Sequence, residues 1–129
     1  MQPVIKRIVR LFIALAMIAV GATHFANPEP FIRIVPSILP EPRLLVLISG
    51  AFEVAGGFGL LWPQTRRLAS LGLIALFIAV FPANINMAIN EIQMQPGDTM
   101  PVWAMWLRLP FQAIFIALAW WVGKDKKIS

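Results

Sequence analysis

Long apolar stretches, separated by short segments that carry most of the charge and proline, make up the larger part of this 129-residue chain. The four stretches cover residues 11–23, 44–62, 68–90 and 102–122. Their only formal charges are Glu53 and Arg108. A helix needs roughly 20 residues to cross about 30 Å of hydrocarbon at a rise of about 1.5 Å per residue. With their flanking residues, the stretches predict four transmembrane helices at about 6–25, 43–62, 66–91 and 101–123.

The overall composition favours a membrane protein over a water-soluble one. Hydrophobic residues make up 59% of the chain and charged residues only 13%, about half the charged fraction of a typical soluble domain. The short connection between the second and third helices requires them to be antiparallel. We therefore predict one all-α domain over residues 1–129, an antiparallel bundle of four transmembrane helices.

The first apolar stretch has a second interpretation, because basic residues before a short apolar run are also typical of a secretory signal peptide. Bulky Phe25 and charged Glu29 follow this run, where a cleavage site requires small residues. The pattern therefore favours a helix that is retained.

The connection between the first and second helices, "FANPEPFIRIVPSILPEPR", combines five prolines with many aliphatic side chains. A solvated loop would not present so many apolar groups. We predict a short helical or turn segment that lies in the membrane interface, with Pro30 or Pro36 at a helix start. This segment would cover one end of the bundle as a lid. The last connection, "EIQMQPGDTMP", is typical of an ordinary turn.

The distribution of basic residues predicts the orientation. Three groups fall on the same side of an even-numbered bundle: Lys6, Arg7 and Arg10; Arg66 and Arg67; Lys124, Lys126 and Lys127. The positive-inside rule then places both termini in the cytoplasm, with the chain in the bacterial inner membrane. We therefore expect the net charge of +5 to orient the protein in the membrane and to contact anionic lipid headgroups. A nucleic-acid partner is not expected.

The chain has no cysteine and one histidine. It therefore cannot supply disulfides, thiolate metal sites or bis-histidine haem ligation. We expect no metal site and no cofactor carried by this chain alone, so any redox chemistry would use a borrowed cofactor.

Polar residues on all four predicted helices fall at a similar depth, in the outer half of the membrane. We predict a site for a ligand formed by His24, Glu53, Asn84, Arg108 and Gln112. Buried charges in a membrane helix are costly unless they are paired or lie in a wet cavity, which predicts a Glu53–Arg108 ion pair. Such a pair would either form part of a functional pocket or only fix how two helices dock.

Four further residues have predicted structural roles. Gly56 lies on one stripe with Ser49 and Glu53, Gly57 lies beside that stripe, and both glycines are expected to permit close helix packing. Pro82 and Pro110 each free a carbonyl four residues earlier and kink their helices near the polar level. Asn84 and Asn86 are roughly 200° apart around a helix, so only one points inward, and Asn84 is favoured.

The segments "GATHFANPEPFIRIVPSILPEP", "SGAFEVAGGFGLLWPQTRRLASLGLIALFIAVFPANINMA" and "WLRLPFQAIFIALAWW" resemble the DoxX family of small bacterial membrane proteins, through nearly the whole chain. The resemblance implies a four-helix membrane bundle with a redox association. The matching positions are His24, Glu53, Gly56, Gly57, Pro82, Asn84, Arg108, Pro110 and Gln112.

Three functional hypotheses follow, beside a purely structural membrane subunit. In the first, the chain is a redox-associated accessory subunit that binds a quinone or another lipid-soluble molecule, with a partner protein supplying the electrons. In the second, it is a binding or transport module for an amphipathic solute, which predicts a homo-oligomer. In the third, it is an enzyme in which Glu53 serves as acid or base.

Overall fold

The computed structural model describes residues 3–95 and 97–124. Pro96 of the last connection, and Lys126 and Lys127 of the last basic group, lie outside this part. The helices are α1 Val4–Ala26, α2 Glu29–Ile32, α3 Pro42–Leu61, α4 Pro63–Asn90 and α5 Val102–Val122. The described residues contain no strand. The prediction of an all-helical fold with four long apolar helices is confirmed for this part of the chain.

The boundary between α3 and α4 differs from the prediction. The segment "PQTRR" was expected to connect two helices, but α4 already begins at Pro63. Proline is favoured in the first turn of a helix because its missing N–H is not needed there. The break between α3 and α4 is therefore a single extended residue, Trp62, with φ −105° and ψ 130°.

The four long helices are long and apolar enough to cross a membrane. Their outward surfaces carry large apolar side chains, among them Phe12, Phe52, Leu68, Ile78 and Phe111. A soluble monomer rarely exposes such an extended apolar surface. The outside of the structure is consistent with contact to lipid.

Helices α1 and α3 form the closest pair, and glycines allow it. A Cβ atom on Gly21 would lie 2.7 Å from the Gly50 carbonyl oxygen, and one on Gly57 would lie 2.7 Å from the Ala14 carbonyl oxygen. Gly21, late in α1, lies against Gly50, early in α3, and Ala14, earlier in α1, lies against Gly57, later in α3. The two helices are therefore antiparallel. The close backbone approach is typical of small-residue packing in membrane helices.

Helices α4 and α5 form the second pair, also antiparallel. Ser70 Oγ donates to the Ala119 carbonyl oxygen over 2.6 Å, and the Gln112 amide donates to the Phe77 carbonyl oxygen. Beyond Gln112, Met105 packs against Met87. The pair is thus held together along most of its length.

The two pairs meet at the terminal end, defined here as the end where α1 begins, α5 ends and Trp62 joins α3 to α4. Gly56 of α3 lies against Leu73 of α4. A buried cluster joins all four long helices: Ile13, Ala14, Met17, Leu60, Leu73, Phe77, Ala119 and Val122. At the opposite end, a cavity separates the pairs.

Three basic residues at the terminal end bond to helix carbonyl groups. Arg10 Nε donates to the Val122 carbonyl oxygen over 2.9 Å, Lys6 donates to the Lys124 carbonyl oxygen, and Arg66 Nε donates to the Leu60 carbonyl oxygen over 2.8 Å. The last carbonyls of a helix have no intrahelical partner and carry partial negative charge. These cations therefore stabilise the ends of α5 and α3, a role that the charge distribution alone did not indicate.

The proline-rich connection covers the end of the cavity, and its residues 29–39 are called the lid below. Pro30 lies in the first turn of α2. Phe31 stacks on the His24 ring of α1, with centroids 3.8 Å apart. On the other side, Asn86 of α4 donates to the Ile34 carbonyl oxygen over 2.9 Å, and Ile34 packs with Met87, Ala88 and Met105. The lid thus bridges the two helix pairs.

Candidate functional site

The cavity between the two helix pairs has a volume of about 480 Å³. Every helix and the lid contribute side chains to its lining, most of them apolar. Met17 and Phe77 form the floor, since both also belong to the core cluster of the terminal end. The rest of the apolar lining includes Val20, Ile34, Val35, Leu39, Val46, Val80, Phe111 and Phe115.

The structure brings all five predicted ligand-binding residues onto this one cavity: His24, Glu53, Asn84, Arg108 and Gln112. They come from four different helices. Ser49 also lines the cavity, and it was not among the predicted site residues. Its position one helical turn before Glu53 is the sequence signal that could have identified it.

Glu53 is 7% exposed, and its Oε2 atom has no hydrogen-bond partner. The nearest ionisable group is His24, whose Nδ1 atom lies 3.6 Å from that oxygen. This nitrogen lies 2.8 Å from the Val20 carbonyl oxygen. Because a carbonyl only accepts hydrogen bonds, the Nδ1–H of His24 is donated to Val20. The histidine therefore lies beside the carboxyl group without donating to it.

The expected Glu53–Arg108 ion pair is not formed. Arg108 Nε instead donates to Asn84 Oδ1 over 3.3 Å, and Arg108 Nη1 contacts Met94 Sδ at 3.6 Å. The physical reason is the arrangement of the helices, because α3 and α5 belong to different pairs and lie on opposite walls of the cavity. Equal depth in the bundle does not bring their side chains together.

A chain of amide hydrogen bonds orients the polar groups on the α4–α5 wall. Arg108 donates to Asn84, the Asn84 amide donates to Gln112 Oε1, and the Gln112 amide donates to the Phe77 carbonyl oxygen. Asn86 points away from the cavity and bonds to the lid. The two asparagines thus serve different structures, as their angular separation on the helix requires.

The four residues with predicted structural roles divide into two groups. A Cβ atom on Gly56 would lie 2.6 Å from a Leu73 methyl group, and one on Gly57 would contact the α1 backbone. Both glycines therefore lie in close helix contacts. Pro82 lines the cavity and Pro110 is exposed, and each lies inside a continuous helix.

Methionines from the last connection were not predicted to contribute to the site. Met94 contacts the Arg108 guanidinium, and Met94 and Met100 pack against the apolar cluster that contains Ile34 of the lid. The Gln93 side chain holds this segment by two hydrogen bonds of 3.0 Å to the backbone of Met100. The segment is thus tied to the site, and the prediction of an ordinary turn gave no indication of this.

The chemistry available in the described residues is hydrogen bonding and charge. They contain no group of three or more His, Asp or Glu side chains that could hold a metal ion. The α1–α3 wall presents a carboxyl group, and the α4–α5 wall presents a guanidinium group.

A family model described as a domain of unknown function, DUF8561, matches residues 13–123. The expected membership of the DoxX family is therefore wrong, and the redox association that it implied loses its support. The quoted segments share the apolar helices, glycines and prolines that many small membrane proteins use, and these features do not separate one such family from another. No curated protein and no solved structure is significantly similar to the chain.

Proposed function

This chain belongs to the DUF8561 family, a domain of unknown function, and we propose that it binds an amphipathic, lipid-soluble small molecule in the cavity beneath the lid. The observation that carries this proposal is the convergence of six polar side chains on one mostly apolar cavity. Its volume of about 480 Å³ falls within the range of about 300–1,000 Å³ that is usual for small-molecule sites.

The state of the two charged residues favours a binding site over a purely structural subunit. A charged pair that only joins helices would have its members in contact, because a buried charge without a partner is strongly destabilising. Glu53 instead has an oxygen without a hydrogen bond, and Arg108 contacts only neutral acceptors. Both groups retain capacity for a ligand.

The proposed location is the cytoplasmic (inner) membrane, crossed four times by α1, α3, α4 and α5. The basic residues at the terminal end support an orientation with both termini in the cytoplasm and the lid outside. Trp120 at that end lies beneath both Arg67 and Lys124, at 4.2 and 4.6 Å from its ring centroid. Aromatic and basic side chains together are typical of the headgroup region.

A quinone is one member of the proposed ligand class. Its carbonyl oxygen would accept a hydrogen bond from Arg108 while its ring and tail contact the apolar lining. The binding proposal does not depend on this choice of ligand.

Photo-crosslinking of the purified protein with a benzophenone-bearing fatty alcohol tests the proposal. We expect labelled peptides from the cavity lining, and competition by a benzoquinone if quinones belong to the ligand class. Val80→Trp would fill the cavity and reduce labelling several-fold. The matched control is Ile78→Trp on the same helix, because Ile78 is exposed and does not line the cavity. Labelling that is spread over all outward faces, or that is unchanged in Val80→Trp, would contradict the proposal.

A further inference from the structure

The two walls of the cavity have opposite hydrogen-bonding character. On the α4–α5 wall, Asn84 Oδ1 already accepts from Arg108, and Gln112 Oε1 already accepts from Asn84. The remaining capacity of that wall is therefore dominated by the guanidinium group, which carries five N–H donors and no acceptor. Two of its nitrogens make only long contacts with neutral acceptors. This wall can bind an anionic or strongly accepting group.

The α1–α3 wall presents an acceptor. Glu53 lines the cavity, and only 7% of its surface is exposed. Its Oε2 atom has no hydrogen-bond partner. His24 cannot satisfy that oxygen because its Nδ1–H is donated to Val20. An ionised carboxyl group in such a place requires a donor, and a charged donor stabilises it most.

The two charged groups have opposite signs and lie on opposite walls. With Glu53 ionised, a neutral ligand would leave Arg108 without a counter-charge and Glu53 with only His24 nearby, at 3.6 Å. A ligand with one charge would match only one of the two groups. We infer that the ligand is a zwitterionic amphiphile whose primary ammonium group binds Glu53 and whose phosphate or carboxylate group binds Arg108. This inference rests on the proposed function and specifies the ligand class of the same site.

The apolar part of such a ligand has a route into the cavity from the side. Val20 of α1 and Phe111 of α5 both line the cavity, yet they are 40% and 52% exposed. The polar contacts between α1 and α5 lie at the terminal end, where Lys6 and Arg10 bond to the last carbonyls. An acyl chain can therefore lie between these helices near the lid while the polar group reaches Glu53 and Arg108.

The required chemistry occurs in two sources, an aminophospholipid of the membrane and a free zwitterion. A competition experiment with the full-length protein in detergent separates them. The neutral benzophenone-bearing fatty alcohol is the probe. The competitors are phosphatidylethanolamine, phosphatidylcholine and diacylglycerol with identical acyl chains, together with free phosphoethanolamine.

The expected order of competition is phosphatidylethanolamine, then phosphatidylcholine, then diacylglycerol. Phosphatidylcholine keeps the phosphate but has no N–H donor, so we expect it to require about tenfold more lipid, the effect of one lost charge-assisted hydrogen bond. Glu53→Gln should remove the difference between the first two lipids. Arg108→Gln should remove the difference between phosphatidylcholine and diacylglycerol. The wild-type order does not depend on either variant folding.

Each outcome decides the inference. Labelling with equal competition by phosphatidylethanolamine and phosphatidylcholine overturns the zwitterion and leaves the proposed function standing. The absence of cavity labelling overturns both. Competition by free phosphoethanolamine as strong as that of the lipid supports the zwitterionic chemistry and identifies the free molecule as its source.

Discussion

Glu53 of α3 lies directly opposite Gly21 of α1 and beside His24, with 3.6 Å between its Oε2 atom and His24 Nδ1. A Cβ atom on Gly21 would lie 3.0 Å from the Glu53 Cβ atom. The missing side chain at Gly21 is therefore what allows the carboxyl group to sit inside the bundle at this point. His24 donates its Nδ1–H to the Val20 carbonyl oxygen. The packing therefore places Glu53 beside His24 without giving its Oε2 atom a hydrogen bond.

The separation of Glu53 from Arg108 predicts additive effects on stability. Each residue lies on its own wall, and no contact joins them, so Glu53→Gln and Arg108→Gln should change the free energy of unfolding independently. The double variant should equal the sum of the single ones within about 0.5 kcal/mol. Reversible unfolding in mixed micelles measures all three variants. Coupling above about 1 kcal/mol would show that the two residues form an ion pair after all.

Replacing Gly57 by alanine tests the α1–α3 contact. The new methyl group would lie 2.7 Å from the Ala14 carbonyl oxygen, and backbone cannot move away as a flexible side chain can. We expect a loss of about 1–3 kcal/mol in the free energy of unfolding, as for other overpacked sites. Gly72→Ala is the matched control, because nothing lies within 4 Å of a Cβ there.

In that control, alanine should leave stability unchanged or raise it by up to about 1 kcal/mol, since alanine favours helix more than glycine does. Equal destabilisation by both substitutions would mean that helix propensity, and not the contact between α1 and α3, determines the result.

Much of the fold could be predicted from the sequence, because apolar length and turn residues are local signals. The four long helices, the lid and the level of the polar residues follow from such signals. The pairing of the helices does not. Whether Arg108 meets Glu53 or Asn84 depends on which helices are neighbours in space, and depth along a helix carries no information about rotation or adjacency.

The site residues also divide into those that the sequence identifies and those that only the folded structure identifies. His24, Glu53, Asn84, Arg108 and Gln112 were identified because polar groups are rare in apolar helices. Ser49 and Met94 were missed, because serine is common in membrane helices and methionine is apolar. Their roles arise only when the lid and the last connection fold over the cavity.

Arg10 should contribute to stability through a hydrogen bond and not only through its charge. Its Nε atom donates to the Val122 carbonyl oxygen over 2.9 Å in a buried position. We expect Arg10→Gln to lower the free energy of unfolding by about 1.5–3 kcal/mol, the range for bonds to charged groups. Arg7→Gln removes the same charge from an exposed position nearby and should change stability by less than about 0.5 kcal/mol. Similar losses in both variants would assign the effect to net charge.

The lid should open when its buried anchor is shortened. Within the lid, Ile34 is 5% exposed and packs against Met87 and Met105, whereas Ile38 is 88% exposed. Removing buried methyl groups from Ile34 costs about 2–5 kcal/mol, while Ile38→Ala should have little effect. Because the chain has no cysteine, Ser49→Cys gives a unique reporter in the cavity. A water-soluble maleimide should label it several-fold faster with Ile34→Ala than with Ile38→Ala, and equal rates would rule out a lid anchored by Ile34.

The proposed orientation predicts which ends of the protein a membrane-impermeant reagent can reach. Ser37 of the lid and Gln64 near the terminal end are both exposed. Because the chain has no cysteine of its own, a single cysteine introduced at either position is the only thiol that the reagent can label. In intact cells whose outer barrier admits the reagent, Ser37→Cys should react and Gln64→Cys should react only after the membrane is permeabilised. The opposite pattern would invert the orientation. Reaction at both positions in intact cells would be incompatible with a chain that spans the membrane between them.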